Sequence, residues 1–415
     1  MTSNFLHLQA PNIINSEGIG GKIKQKPEDF IVGEIIENQQ VLDPRKEQFN
    51  LPGRTGLFLH FVLIKRNLDT SNALDWVSRL WKIQRDNINV AGLKDKRAFT
   101  AQRVSVWGLK DSFEKGIIKE IDLPTIKTKS LSLRLKEIRL GGLWGNFFDV
   151  TLRDIHLPKE EVREKINSIL KEIKEIGGIQ NSYGIQRFGE IRPITHLVGK
   201  KLLEGNIKEA IRIYVGKVFD REAENIIEAR NSFWENEDVE KALDLFPSYL
   251  RIERKLLFSL RKRKQNYMQA LSSLPFQLQK LFIHAYQSFL FNRYLKTRYN
   301  LYSKKITEPI SGEIVKNNAV FVPLVGANTK LEGDMGEIYQ SILVEEELSL
   351  HEFQKPFIKK IGGRGSFRSI SFDPEDIRIM EICKDELNEG RTRMNMSFKI
   401  QKGSYATEFL RELMG

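Results

Sequence analysis

Leu131, Leu133 and Leu135 alternate with Ser132, Arg134 and Lys136, and Phe148, Val150 and Leu152 alternate with Asp149, Thr151 and Arg153. A period of two sends successive side chains to opposite faces of a strand. Gly141, Gly142, Gly145 and Asn146 lie between the two runs and supply turn chemistry, so the segment 130–153 predicts a hairpin or a bulged strand pair. From about residue 195 the period changes. Helical spacing runs through 196–203, 206–215, 221–230 and 276–297, the last carrying Leu278, Leu281, Phe282, Ala285, Tyr286, Phe289, Leu290 and Leu295. Shorter, glycine-punctuated apolar runs return over 306–345, residues 393–400 alternate as a final strand, and 405–413 read as a closing helix. The order predicts an α+β fold in which a β-containing segment is interrupted by a largely helical block and then resumed.

The other elements fit between these. Residues 22–36 read as a strand broken at Pro27-Glu28-Asp29, and Leu57 to Ile64 as a second strand. Asp69, Thr70 and Ser71 offer N-caps to a helix with Leu74, Val77, Leu80 and Trp81 on one face. Ile88 and Val90 begin a short strand that breaks at Gly92 and resumes from Arg103 to Trp107. Pro158 stands where helices start, Val162, Ile166, Ile169, Ile173 and Ile176 make an apolar stripe, and Gly177-Gly178 ends it.

A chain of 415 residues exceeds the roughly 250–300 at which one core stops growing, so two domains are expected. Lys and Arg number 66 against 54 Asp and Glu, a formal charge of +12. That excess points to a polyanionic partner, nucleic acid before an anionic membrane. The single cysteine, Cys383, excludes an internal disulfide and a thiolate metal cluster and suits an intracellular protein. Met1 to Gln9 lacks a signal-peptide pattern, and Leu57 to Ile64 is too short to span a bilayer and contains His60. A cytoplasmic protein that does not cross a membrane is the expectation. The charged fraction, rich in Lys and Glu, leans toward a thermophile.

Cofactor motifs are missing. Gly18 to Ile23 has a Gly-Lys without the spacing of a phosphate loop, and Gly362-Gly363-Arg364-Gly365 reads as a plain turn before an anion nest. His7, His60, His156, His196, His284 and His351 are scattered, which disfavours zinc. No nucleophile elbow and no dinucleotide-binding loop is present.

Three segments remain. Ala91 to Gln102 sets Asp95 among Lys94, Lys96 and Arg97 in a loop between apolar strands. Composition alone favours a solvated charge run there. Functionally, Gly92 permits a sharp bend, and the three bases would favour a charged Asp95 able to act as nucleophile or base on a phosphodiester-bearing substrate. Asn181 to Gly189 collects amides, two aromatics and an Arg between glycines, either a loop with Phe188 as a core plug or a base-stacking platform. Residues 251–264 hold seven Lys and Arg against Glu253 alone, either a nucleic-acid contact or an exposed helix face.

Four ordered motifs resemble those of the TruD family of pseudouridine synthases, which isomerise uridine in tRNA. They are Lys24-x-x-Pro27-Glu28-Asp29-Phe30; Gly92-x-Lys94-Asp95-x-x-Ala98-x-Thr100-x-Gln102; Asn181-x-Tyr183-Gly184-x-Gln186-Arg187-Phe188-Gly189; and Gly403-Ser404-Tyr405-Ala406-Thr407 with Arg411-Glu412-Leu413. Arg139-Leu140-Gly141-x-Leu143-x-Gly145-Asn146 and Gln287-Ser288-x-Leu290-Phe291-Asn292 are similar to further family segments. Bacterial members usually carry Phe at the positions of Tyr183 and Tyr405, and the 190–368 block is more like that of archaeal members. The resemblance implies a pseudouridine synthase catalytic domain with a mixed β-sheet at 1–190 plus 369–415, interrupted by an insertion domain at 191–368. It implies Asp95 as the catalytic carboxylate, Lys24 as its partner, Asn181 positioning Asp95 or the base, and Tyr183 and Tyr405 flanking the uracil. It also implies tRNA as partner, position 13 as the target, no metal or organic cofactor, and a monomer. Two rival classes stand beside it: a catalytically silent RNA-binding protein of the same fold, and a different tRNA-modifying enzyme such as a methyltransferase.

Overall fold

The computed structural model describes residues 8–415 except 52, 54, 220–221, 263–265 and 303–305. Most of Met1 to Gln9 therefore lies outside the described residues, as do Arg263 and Lys264 of the basic segment. Two compact units account for the rest: residues 14–174 with 372–415, and 8–13 with 175–371.

The first unit is built on a nine-stranded sheet. Its strands are β1 (Phe30–Ile35), β2 (Phe58–Arg66), β3 (Ile88–Val90), β4 (Phe99–Trp107), β5 (Asp122–Leu123), β6 (Ile126–Arg134), β7 (Gly145–Ile155), β8 (Glu375–Lys384) and β9 (Thr392–Gln401). The spatial order is β8-β9-β7-β1-β4-β2-β6-β5, with β3 paired to β4. β1 and β4 run parallel and the other pairs are antiparallel, so the sheet is mixed. Helix α1 (Thr70–Leu80) covers one face, with Asp69 accepting from the Asn72 amide as its N-cap. Leu74, Val77 and Trp81 pack beneath it against Leu59, Phe61, Leu63, Val104 and Val106. Leu80 is 47% exposed and leaves the face that the spacing assigned it. Helix α2 (Lys159–Ile176) buries Val162, Ile166, Ile169, Ile173 and Ile176 as expected, and helix α3 (Ala406–Met414) follows β9.

The expected hairpin does not form. β6 and β7 are both strands, but β2, β4 and β1 lie between them. The glycines close a tight turn, with the Gly142 amide donating to Arg139 O at 2.8 Å and Gly141 at φ +78, but the turn joins no hairpin, because Ile138 and Leu143 on either side of it are buried against Ala91. The Gly141 amide donates to Ala91 O and the Trp144 amide to Ile35 O, which carries the chain across the sheet. The leucine alternation holds over Leu131 and Leu133, which pack on the core beneath α1, and the strand ends at Arg134, before Leu135. Ser130 adopts φ +56, the register with β2 shifts there, and Leu135 ends 76% exposed. β4 starts at Phe99 rather than Arg103, since Phe99 to Ala101 already pair with both β1 and β2.

The second unit is mainly helical: Thr195–Glu204, Ile207–Gly216, Glu224–Asn236, Val239–Leu245, Arg251–Lys262, Tyr267–Ser272 and the long Phe276–Leu301. A three-stranded sheet joins Ile314–Lys316, Ala319–Leu324 and Ser366–Ser369. Within 306–345 the later apolar run is a helix, Gly333–Glu345, with Met335, Ile338, Tyr339, Ile342 and Leu343 buried. Its glycines read as breaks in the sequence. Gly336 instead permits close packing, since a Cβ there would meet the Leu331 carbonyl carbon at 2.6 Å.

The units divide at 174/175 and 371/372, not at 190/191 and 368/369. Hydrogen bonding explains the difference. Asn292, in the long helix, accepts from the Tyr183 amide at 2.8 Å and donates to Tyr183 O and Leu8 O at 2.8 and 2.7 Å. The Asn181 amide donates to Ile370 O at 2.8 Å. Residues 8 and 181–183 are thereby tied to the helical unit.

Candidate active site

Because β1 and β4 are parallel neighbours with Ile31 opposite Phe99, the loops that precede them open at the same end of the sheet. Lys24 lies in one loop and Asp95 in the other, and Lys24 Nζ meets Asp95 Oδ1 at 2.8 Å. β2 runs antiparallel to β4 and sets Lys65 opposite Thr100, at that same end. Lys65 is fully buried and its Nζ donates to the backbone carbonyl of Asp95 at 2.5 Å. Burial pushes the Lys65 ammonium down to about 8, against the pull of Asp95 and Asp69 in the other direction.

Further bonds fix the loop. Thr70 Oγ1 accepts from the Lys94 amide at 2.9 Å and donates to Gln102 Oε1 at 3.3 Å; Gln102 Nε2 donates to Gly92 O at 2.9 Å. Lys24 has φ +59, a left-handed conformation rare for a residue with a Cβ, and its Nζ sits 4.2 Å from the centre of the Phe30 ring. The Asp95 side chain is 42% exposed and that of Lys24 only 17%. The pair thus presents a carboxylate outward with its cation behind it.

Asp29 braces the Lys24 loop. It accepts from the Lys26 amide at 2.7 Å and from Arg153 Nε at 2.8 Å. Arg153 also pairs with Asp385 and Glu386, each at 2.9 Å. From Phe30 a line of rings crosses the sheet: Phe30 to Phe148 at 5.8 Å, Phe148 stacked on Phe398 at 5.3 Å, and Phe398 edge-on to Phe409 at 4.8 Å. Phe409 belongs to α3, whose N-cap is Tyr405. Gln401, which ends β9, lies opposite Gly145, and Gly145 lies opposite Ile35. Tyr405 therefore comes in from the Ile35 end of β1, whereas Lys24 stands at the Phe30 end.

The bases expected around Asp95 are distributed differently. Lys94 pairs with Glu34 at 3.5 Å, both side chains buried, and Arg97 donates to Gln25 O at 2.8 Å. Lys96 is exposed. The carboxylate's partner is Lys24, and Lys65, which the sequence reading missed, holds its backbone. The available signal was a lysine ending an apolar strand.

Asn181 and Tyr183 belong to the helical unit. Asn181 is buried, its Oδ1 accepting from Arg368 at 2.7 Å and its Nδ2 donating to Ser369 O at 3.1 Å. Tyr183 is 6% exposed, with the Arg368 guanidinium 4.1 Å over its ring and Phe291 edge-on at 5.7 Å. The helix Arg251–Lys262 carries the basic segment, yet Arg254 is spent on Leu243 O and Phe246 O, at 2.7 and 2.6 Å.

The family model described as tRNA pseudouridine synthase D (TruD) matches residues 10–320 and 316–413. The chain belongs to the TruD family. As a member it is a tRNA pseudouridine synthase, an isomerase, and its α+β fold with a mixed sheet is that of the TruD enzymes. A Methanosarcina acetivorans protein described as "Probable tRNA pseudouridine synthase D" is 34% identical over 96% of this chain and 94% of its own length. A Thermococcus gammatolerans protein of the same description is 35% identical over 99% and 98%. A crystal structure from Methanosarcina mazei, described as that of the "Putative tRNA pseudouridine synthase D (TruD)", superposes with a TM-score of 0.76 at 31% identity, covering 99% of this chain and 97% of that one. Among the described residues, no helix is long and apolar enough to cross a membrane.

The buried ammonium makes a stability prediction. With a native pKa near 8 against 10.5 for a free lysine, the charged form opposes folding below pH 8. Between pH 8 and 10.5 the unfolded chain holds the proton more tightly, so stability rises with pH. Wild type should therefore gain on Lys65→Met by on the order of 2 kcal/mol from pH 7 to pH 10, measured by urea unfolding. A pH-independent difference would rule out the buried charge.

Proposed function

We propose that this enzyme converts uridine 13 of tRNA to pseudouridine, with Asp95 as the catalytic carboxylate. The observation that carries the assignment is the half-exposed Asp95 carboxylate, held by Lys24 at 2.8 Å in a loop fixed by Lys65, Thr70 and Gln102. The resemblance supports position 13. The reaction breaks the N1–C1′ bond, rotates the uracil and joins C5 to C1′, with C5 losing a proton and the freed N1 gaining one. Composition is unchanged, so no oxidant or group donor enters. The uridine leaves its stack first, because C1′ and C5 are inaccessible inside a helix. Asp95 then either adds to C1′ or removes a sugar proton, and either role uses an outward carboxylate.

In this reading residues 14–174 and 372–415 form the catalytic domain, and the helical unit is the family's insertion with the flanking 181–189 loop. Asn181 acts by holding Arg368 and Ser369 in place, Tyr183 flanks the uracil, and Tyr405, which enters from the Ile35 end of β1, is assigned no place beside Asp95. The enzyme works as a cytoplasmic monomer without a cofactor. The direct test maps pseudouridine in a tRNA transcript after incubation with the purified protein. One new pseudouridine at position 13, absent when position 13 is cytidine, is expected; modification elsewhere would move the target.

Tyr183 contributes through its ring. Tyr183→Phe keeps the Arg368 and Phe291 contacts and should change the rate less than threefold. Tyr183→Ala should lower both the melting temperature by several degrees and the single-turnover rate by roughly 5- to 150-fold, since stacking on a base is worth about 1–3 kcal/mol. Loss of melting temperature with an unaltered rate per folded molecule would reduce the ring to packing.

A further inference from the structure

On the sheet face turned away from α1, a cavity of about 950 Å³ opens beside β2 and β4. Gln102 points to the α1 side, where it binds Thr70, and Val104 packs under that helix. Arg103, between them, points to the opposite face. Arg103, Arg134, His60, Phe58 and Arg139 line the cavity. This is separate from Asp95 and from every residue given a role above.

The charges in the cavity do not balance. Arg103, 5% exposed, gives Nη2 to both Glu37 oxygens at 2.8 Å and to Gly142 O at 3.1 Å, while its Nε has no partner among the described residues. Arg134 has both Nε and Nη2 out of reach of solvent and without a hydrogen bond among the described residues. Glu137 is taken by Arg139 at 3.3 Å. One carboxylate, Glu37, thus serves two neighbouring guanidinium groups. Burial and the adjoining Arg103 charge both push the Arg134 guanidinium below its ordinary value, the direction of a cation that lacks an anion. A buried, unpaired charge is costly and is kept where something else neutralises it. The guanidinium fork matches a phosphate, and the space admits a phosphate with its ribose.

We propose that the cavity beside Arg103 and Arg134 binds a phosphate group, carried either on the tRNA backbone or on a small phosphorylated molecule. The tRNA source rests on the enzyme's acting on tRNA; the small-molecule source does not.

The test uses the full chain as wild type, Arg134→Gln, and Arg139→Glu, whose side chain is 84% exposed and leaves the interior untouched. Pseudouridine formation by wild type is measured first, so failure of the functional reading is seen separately. Then tRNA affinity is followed against salt, and melting temperature against inorganic phosphate and uridine monophosphate. If the phosphate is the tRNA's, Arg134→Gln should flatten the log–log salt slope by about 1, with a melting temperature equal to or above wild type. If it is a small ligand's, phosphate or the nucleotide should raise the melting temperature of wild type and not of Arg134→Gln, with the tRNA slope unchanged. Arg139→Glu should move the same readout in the same direction. The proposal is overturned if the salt slope and the phosphate response are both those of wild type in Arg134→Gln, or, should that variant not fold, in Arg139→Glu.

Discussion

Asp95→Asn should abolish pseudouridine formation, by roughly 10⁴-fold or more in single-turnover rate, while tRNA affinity should stay within a few fold. The amide is nearly isosteric but neither adds to C1′ nor takes a sugar proton, so the loss is the same in both mechanisms. Folding does not depend on the side chain exchanged. The bonds that shape the loop run to the Asp95 carbonyl, the Lys94 amide and Gly92 O, and all survive the substitution. Only the partly exposed pair with Lys24 is lost, and such pairs are worth about 0–1 kcal/mol. Lys24→Met supplies the contrast. It should lower the rate by less than Asp95→Asn, because it removes the partner and leaves the carboxylate. An active Asp95→Asn enzyme would end the assignment.

The same experiment separates the rival classes. A catalytically silent RNA-binding protein shows no pseudouridine with wild type either, at unchanged tRNA affinity. A methyltransferase binds a methyl donor, which calorimetry detects. The family match already makes the chain an isomerase, and the outward Asp95 carboxylate backed by Lys24 agrees with it, because a binding module gains nothing from presenting an anion to a polyanion.

The local order of the chain was legible where one period governs one element. The stripe of Val162, Ile166, Ile169 and Ile173 and the run from Phe276 to Leu301 announce their helices in this way. Pairing was not legible. The runs on either side of Gly141 look like hairpin arms, yet the strands between them come from residues 30–107. No local rule reports that Ile138 and Leu143 will pack on Ala91. The candidate site divides along the same line. Lys24 and Asp95 were found through motifs, because the parallel β1–β4 pair brings two loop segments together that are each dense in unusual residues. Lys65 was not, since a lysine at a strand end looks like a solvated terminus until β2 is seen to enter from the other side of β4. The Gln287 to Asn292 motif reads as part of a helix, and only the fold shows Asn292 clamping Tyr183 through both ends of its amide.

Arg153→Ala should destabilise the first unit by about 3–5 kcal/mol, the usual cost of removing one partner from a buried ionic cluster. Arg153 is 6% exposed and joins Asp29, Asp385 and Glu386, from two separate stretches of chain. Its loss leaves three carboxylates facing one another with Asp29 and Asp385 buried. The sign with pH follows from Asp385. Its burial raises its pKa, but hydrogen bonds from the Asp154 amide, Asn388, the Leu387 amide and Arg153 outweigh that and pull it to about 2. A carboxylate depressed in the native state contributes stability above its free value near 3.8 and loses it as pH falls toward 2. Arg153→Ala removes one of those donors and adds repulsion between the carboxylates, so its penalty should be largest at neutral pH and shrink toward pH 3, where they protonate. Denaturant unfolding of both proteins at pH 7 and pH 3 measures this. A penalty that is equal at the two pH values would make Arg153 a packing residue and not the hub of a charge cluster. Asp29 also accepts from the Lys26 amide, beside Lys24, so the variant should lose catalytic rate beyond its loss of folded protein. Stability and catalysis thus meet in the Pro27-Glu28-Asp29 turn, which holds Lys24 against Asp95 from behind.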